Sequence, residues 1–349
     1  MNNLHTLHEA ITARLNNINF FNLWPGFHQC PFALYDDVNV EMGNQTIPYS
    51  FEFMGNTAIK YQNHWLAIWN VKESMVADLD LFTAKIVHEM FHAFQFESQE
   101  KRFPNEFQGL QYGNDPLNLT AKYQEDMLLA DLIDRFSYKK WEKFLKLRQS
   151  RALLFPRQVD YETKIEVIEG MAQFVEIQVL EQLHSLHYYE QINRLIMRTK
   201  DKSRLLKIRH LSYDVGAIIL FILKNQHISF TTQINENDQT VFSQISKEID
   251  GEPLIIDVDE EINQLIKNNY QEKKQTIDDF VLIHEKQLLD FSIVGFDPLN
   301  AFIIDQYMYN PYFVIIEVEG KKKFLSGPMV CEVSGDFIGQ ALYTNKQEE

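Results

Sequence analysis

Cysteine is almost missing from this chain: Cys30 and Cys331 are the only two in 349 residues, far apart in sequence. That excludes a disulfide scaffold, fits a reduced intracellular setting, and leads to the expectation that any metal centre is built from histidine and carboxylates. Basic charge is also scarce. Lys and Arg number 33 against 49 Asp and Glu, a formal net charge of −16, which excludes a general phosphate-backbone binder and with it nucleic acid as a partner. Long apolar runs are lacking too, since the most apolar stretch, Val215 to Leu223, is bounded by Asp214 and Lys224 and is too short for a bilayer. The N-terminal stretch to Asn17 has no basic segment leading into an apolar core, so no secretory signal and no membrane partner are expected, and the expected compartment is the cytoplasm. There is no internal repeat or low-complexity tract. What is present is 45% hydrophobic residues, enough for one large or two modest globular domains.

Periodicity predicts an α+β fold. An amphipathic helix over about 3–20 ends at Pro25-Gly26, and alternating aromatic and β-branched residues predict strands near 33–42, 47–54 and 58–71. Helices are expected over 80–97, 118–136, 138–149, 160–185, 187–199 and 212–226. A polar, irregular stretch from 231 to about 257 precedes a helix near 259–285, and strand-like runs such as 312–318 and 324–333 suggest a small C-terminal β subdomain. The expected organisation is a mainly helical catalytic domain over 1–230, carrying a small N-terminal β-sheet, and an accessory region over 231–349.

Within the first of the long helices stands His88-Glu89-Met90-Phe91-His92. Residues four apart share a helix face, so HExxH presents two imidazoles to one cation with a carboxylate beside them, which is zinc-binding and water-activating geometry. The surrounding Leu81, Phe82, Ile86, Val87, Phe91 and Phe94 make this helix apolar over most of its circumference, and Asp78 and Asp80 can cap its first turn. A catalytic zinc needs a third protein ligand. Glu162, Glu166, Glu169 and Gln173 form a largely acidic stripe at helical spacing on an otherwise apolar segment. Gly170 and Ala172 beside Glu169 remove bulk and would let this segment approach the HExxH helix, so Glu169 is the expected ligand.

HExxH, then Glu169-Gly170-Met171-Ala172 within a helix, then Tyr213-Asp214-Val215-Gly216-Ala217 opening another, resembles the gluzincin zinc metallopeptidases, especially the peptidase-MA-like branch, over roughly residues 80 to 225. The resemblance implies a thermolysin-like, zincin-like core, Zn2+ held by His88, His92 and Glu169, and Glu89 as general base. It further implies Tyr213 as a hydrogen-bond donor to the oxyanion, and a sheet edge strand that receives an extended peptide or protein substrate. His210, three residues before Tyr213, is the second choice of donor. Gln173 stands where thermolysin-like members carry an aspartate that orients a ligand histidine. Glu166 or Glu162 is therefore the alternative partner for the far N–H of His88 or His92, unless those glutamates are a solvated face paired with Lys or Arg.

The strand around His64 to Trp69 is the candidate substrate edge, and Arg148 and Arg151 are either anchors for a substrate carboxylate or part of a solvated face. The expected activity is zinc-dependent peptide-bond hydrolysis. The alternative from another class is a non-catalytic peptide- or protein-binding module on the same scaffold.

Overall fold

The computed structural model describes residues 4–72 and 76–344, so residue 3, at the expected start of the first helix, lies outside the described residues. Helix α1 (Leu4–Leu15) and the single turn α2 (Phe20–Leu23) lead into strands β1 (Phe32–Tyr35), β2 (Asn39–Glu41), β3 (Thr46–Pro48), β4 (Thr57–Tyr61) and β5 (His64–Asn70). These form a five-stranded sheet in the order β3-β2-β1-β5-β4, with β1 and β5 parallel and the other neighbours antiparallel. The β4–β5 hairpin turns on Gln62 and Asn63, both in the left-handed region with φ of 44° and 68°, as a two-residue turn with matching twist requires.

Helix α3 (Leu79–Glu97) follows directly and packs on β5 through Trp65 against Phe96 and Trp69 against Phe82. Both tryptophans are therefore packing residues. The helix starts at Asp78, whose carboxylate accepts from the amides of Asp80 and Leu81 at 2.9 Å each, while Asp80 pairs instead with Arg14.

The helical body continues with α4 (Glu106–Leu110), α5 (Pro116–Asp134), α6 (Tyr138–Leu154) and α7 (Pro156–Ile165), then a π-helical turn at Glu166–Gly170, then α8 (Met171–Gln182), α9 (His187–Thr199) and α10 (Ile208–Asn225). The single helix expected over 160–185 is thus three pieces, because the π turn interrupts the regular ladder at the acidic stripe. Gly170 also serves a different neighbour from the one expected. A Cβ there would lie 2.7 Å from the Gly216 Cα, so the close approach it permits is with α10 rather than α3.

Short helix α11 (Val241–Ile245) lies inside the stretch expected to be irregular, and α12 (Glu260–Ile283) precedes strands β6 (Glu285–Phe296), β7 (Phe302–Ile304), β8 (Tyr307–Asn310), β9 (Phe313–Val318), β10 (Lys321–Ser326), β11 (Met329–Val333) and β12 (Ile338–Thr344). They form one antiparallel sheet in the order β10-β9-β6-β12-β11-β8-β7, larger than the few runs visible in the sequence. Alternation gives it two buried faces. Met329, Cys331 and Leu342 join one core, and Val330 and Tyr343 pack with Ile277 of α12 on the other. Phe107 of α4 bridges the helical body to this sheet through Phe296 and Phe337, at ring separations of 5.2 and 4.7 Å. The fold class is α+β. Among the described residues no helix is long and apolar enough to cross a membrane.

Candidate metal centre

The chain from the π turn through α8 to the start of α9 runs antiparallel to α3, which is visible in three contacts: Gln95 with Ile168, His88 with Glu176, and Asp78 with His187. The π turn delivers Glu169 between the two histidines. Its Oε2 lies 3.2 Å from His92 Nε2 and 3.7 Å from His88 Nε2, and the His88 and His92 ring centroids are 4.9 Å apart. Ligands about 2.0–2.1 Å from a tetrahedral zinc stand about 3.3 Å from one another, so these separations fit one face of such a site. The three donor atoms lie within 4.8 Å of one another. The donor set of two imidazoles and one carboxylate suits zinc.

The outer nitrogens are also held. His88 Nδ1 donates to Glu176 Oε2 at 2.9 Å and His92 Nδ1 donates to Gln95 Oε1 at 2.8 Å, so Nε2 of each ring is the nitrogen turned toward Glu169 and the one that would meet a cation. Gln95 is fully buried, and its amide nitrogen donates to Ile168 O at 3.0 Å, beside the wide turn where the helical ladder is interrupted. His88, Glu89 and Glu169 keep 9%, 8% and 9% exposure, so the centre is nearly enclosed yet open to small molecules.

Charge follows this geometry. Burial opposes ionisation of Glu169, but His92, His88 and Arg209 outweigh it and hold its carboxyl well below the usual range. Burial likewise opposes protonation of His88, and the bonds to Glu169 and Glu176 overcome it, raising its pKa well above the imidazole norm. Burial lifts the Glu89 carboxyl, with His88 and His92 partly offsetting the rise.

Tyr213 and His210 sit at the rim on α10. The Tyr213 ring stacks near His210 at 6.2 Å and lies under the Arg209 guanidinium at 5.9 Å. Burial and then the Glu169 charge raise the Tyr213 pKa, so the phenol keeps its proton and remains a donor. Burial, then Arg204, Lys207 and Arg209, lowers that of His210, which stays neutral. Arg209 donates to Glu169 Oε1 at 3.0 Å and also reaches Glu106, whose other oxygen accepts from Tyr161 at 3.1 Å. A cleft of about 630 Å3 opens beside these residues, walled by Glu106, Tyr161, Arg209 and His210 on one side and Phe296 and Phe302 on the other.

Four expectations need correction. Glu162 and Glu166 contact neither histidine, nor are they solvated. Both are buried on the opposite side of the segment, where Arg151 donates to Glu162 at 2.6 and 2.7 Å and Arg148 donates to Glu166 at 2.9 Å. Arg148 and Arg151 are fully buried and shared with Glu125, so they cannot anchor a substrate. Gln173 is half-buried and is not the residue that orients His88; Glu176, two turns beyond Glu169, is. The β5 strand is interior to its sheet, and the free edge on that side is β4.

Glu176, Gln95 and Arg209 escaped the sequence reading. Gln95 stands three residues after His92 and Glu176 seven after Glu169, spacings that share a helix face and could have revealed them. Arg209 carried no such signal. No protein-family model, curated protein or solved structure gives a significant match to the chain.

Proposed function

We propose that this protein is a zinc-dependent metallopeptidase of the gluzincin kind, with His88, His92 and Glu169 as metal ligands. The observation that carries the reading is the convergence of three donor atoms on a tetrahedral face with both outer imidazole nitrogens hydrogen-bonded. Zinc, when bound, acidifies water toward neutral pH and polarises a carbonyl group. Glu89, adjacent to both ligand histidines and raised by burial, takes a proton from water and returns it to the leaving amine. Tyr213, protonated and beside Glu169, donates to the oxygen of the carbonyl under attack, with neutral His210 as the second donor. Glu176 and Gln95 fix the ring orientations, and Arg209 holds the far oxygen of Glu169 so that Oε2 faces the histidines. The exposed edge of β4 offers backbone groups to an extended peptide or protein substrate.

The test is Glu89→Gln. Metal content should be unchanged while cleavage of a mixed peptide library falls at least about 100-fold, the lower range for loss of a positioned acid–base group. Full turnover in that variant removes Glu89 as base. One observation favours a second reading, a non-catalytic peptide- or protein-binding module: Arg209 already neutralises part of the Glu169 charge that a cation needs. It predicts no retained zinc after reconstitution and dialysis, and no cleavage of the library.

A further inference from the structure

A second group of donors lies at the other side of α3. His28 and Cys30, in the segment entering β1, meet Glu97 in the last turn of α3, with their donor atoms all within 4.8 Å of one another. His28 Nε2 is 3.2 Å from Glu97 Oε2, close to the roughly 3.3 Å edge of a tetrahedral zinc site. These residues line a hollow of about 280 Å3 together with His64, from the first position of β5. Five residues separate Glu97 from His92, which on a helix is about 7.5 Å of rise and about 140° of rotation, so one ion cannot serve both groups.

We propose that His28, Cys30 and Glu97 form a second metal site for zinc or a similar divalent ion, with water completing it. The donor set is the argument: a thiol, an imidazole and a carboxylate converge in a hollow, and thiolate plus carboxylate match the two positive charges of the ion. Binding of the ion takes Cys30 as its thiolate and releases the thiol proton to solvent. Lys60 is the one cation in the lining and weighs against an ion, which the two anionic ligands must outweigh. Closed by an ion, the site would staple the approach to β1 to the end of α3. Its role is therefore structural rather than catalytic, and it does not depend on the proposed peptidase activity.

Cobalt(II) titration of the reduced full-length protein tests this, because only a thiolate ligand gives a near-ultraviolet sulfur-to-cobalt charge-transfer band. The band should appear in the wild type, persist in Cys331→Ser, whose parent cysteine is buried in the C-terminal sheet core, and vanish in Cys30→Ser. Zinc content should fall by one ion per chain in Cys30→Ser, whether or not His88, His92 and Glu169 hold theirs. Should Cys30→Ser fold poorly, His28→Gln at an exposed position should weaken cobalt binding at least about tenfold with the circular dichroism unchanged. A wild-type protein saturated with cobalt that lacks the band, or a band that survives Cys30→Ser, overturns the proposal.

Discussion

Glu176 and Gln173 are three residues apart on one helix, and only the first reaches a ligand histidine. A carboxylate on Nδ1–H keeps the ring turned and makes its Nε2 more basic, an effect commonly worth 10–100-fold in metal affinity. Glu176→Ala should therefore weaken zinc binding by about that factor, measured by competition with a chromogenic chelator, whereas Gln173→Ala should change it less than about threefold. Equal losses in both would mean that the outer partner has been misassigned. The histidine pair was legible in the sequence because HExxH is local geometry: the helix alone puts His88 and His92 on one face. The partner of His88 was not, since it depends on the register of α8 against α3.

At the level of elements, the π turn and the crossing of α10 set the centre. The wide turn breaks the phase of the acidic stripe, so Glu162 and Glu166 face α6 while Glu169 and Glu176 face α3. A regular 3.6-residue reading put Glu162, Glu166, Glu169 and Gln173 on one face and so merged two different roles. Opposite the turn, a Cβ on Gly216 would lie 2.7 Å from Glu166 O and 2.8 Å from its Cα, both backbone atoms that cannot swing away. Gly216→Ala should cost about 1–3 kcal/mol in urea denaturation by overpacking, and should also loosen metal binding by displacing Glu169. A neutral or stabilising result would show that the two segments separate without strain.

Over the whole molecule, the helical body is organised around a buried charge cluster and an accessory sheet docked through Phe107. Glu125, Asp126, Glu162 and Glu166 face Lys122, Arg148 and Arg151, all buried, so the carboxylates outnumber the cations and one of them keeps a proton. Glu166 fits that role: burial, against Arg148, raises it to about 7, and its Oε1 has no partner among the described residues. Glu162 is the opposite case, because Arg151 overcomes burial and brings it to about 2. The signs differ accordingly. Glu162 contributes stability that is present above its unfolded pKa of about 4.3 and is lost as pH falls toward 2, on the order of 3 kcal/mol in all. Glu166 contributes stability that is present below about 4.3 and is lost as pH rises through 7. Glu166→Gln should therefore gain on the wild type as pH rises from about 4.5 to 7, measured by chemical denaturation at each pH; parallel profiles would refute the raised carboxyl. Removing a charge outright is harsher. Arg151→Met should cost about 3–5 kcal/mol by leaving Glu162 buried without its cation and Glu125 with Arg148 alone.

Sequence alone determined the α+β class, most helix positions and the pair of histidines with their neighbouring glutamate, because helical periodicity and i,i+4 geometry are properties of short segments. It also pointed to Glu169 as the carboxylate that meets the histidines, through an acidic residue whose presence on an apolar helix required a reason. Tertiary structure decided which carboxylates meet the histidine pair and which meet buried arginines, that β4 and not β5 is the sheet edge, and that His28, Cys30 and Glu97 meet. Each of those depends on how distant segments are aligned against one another, and packing of whole faces fixes that alignment.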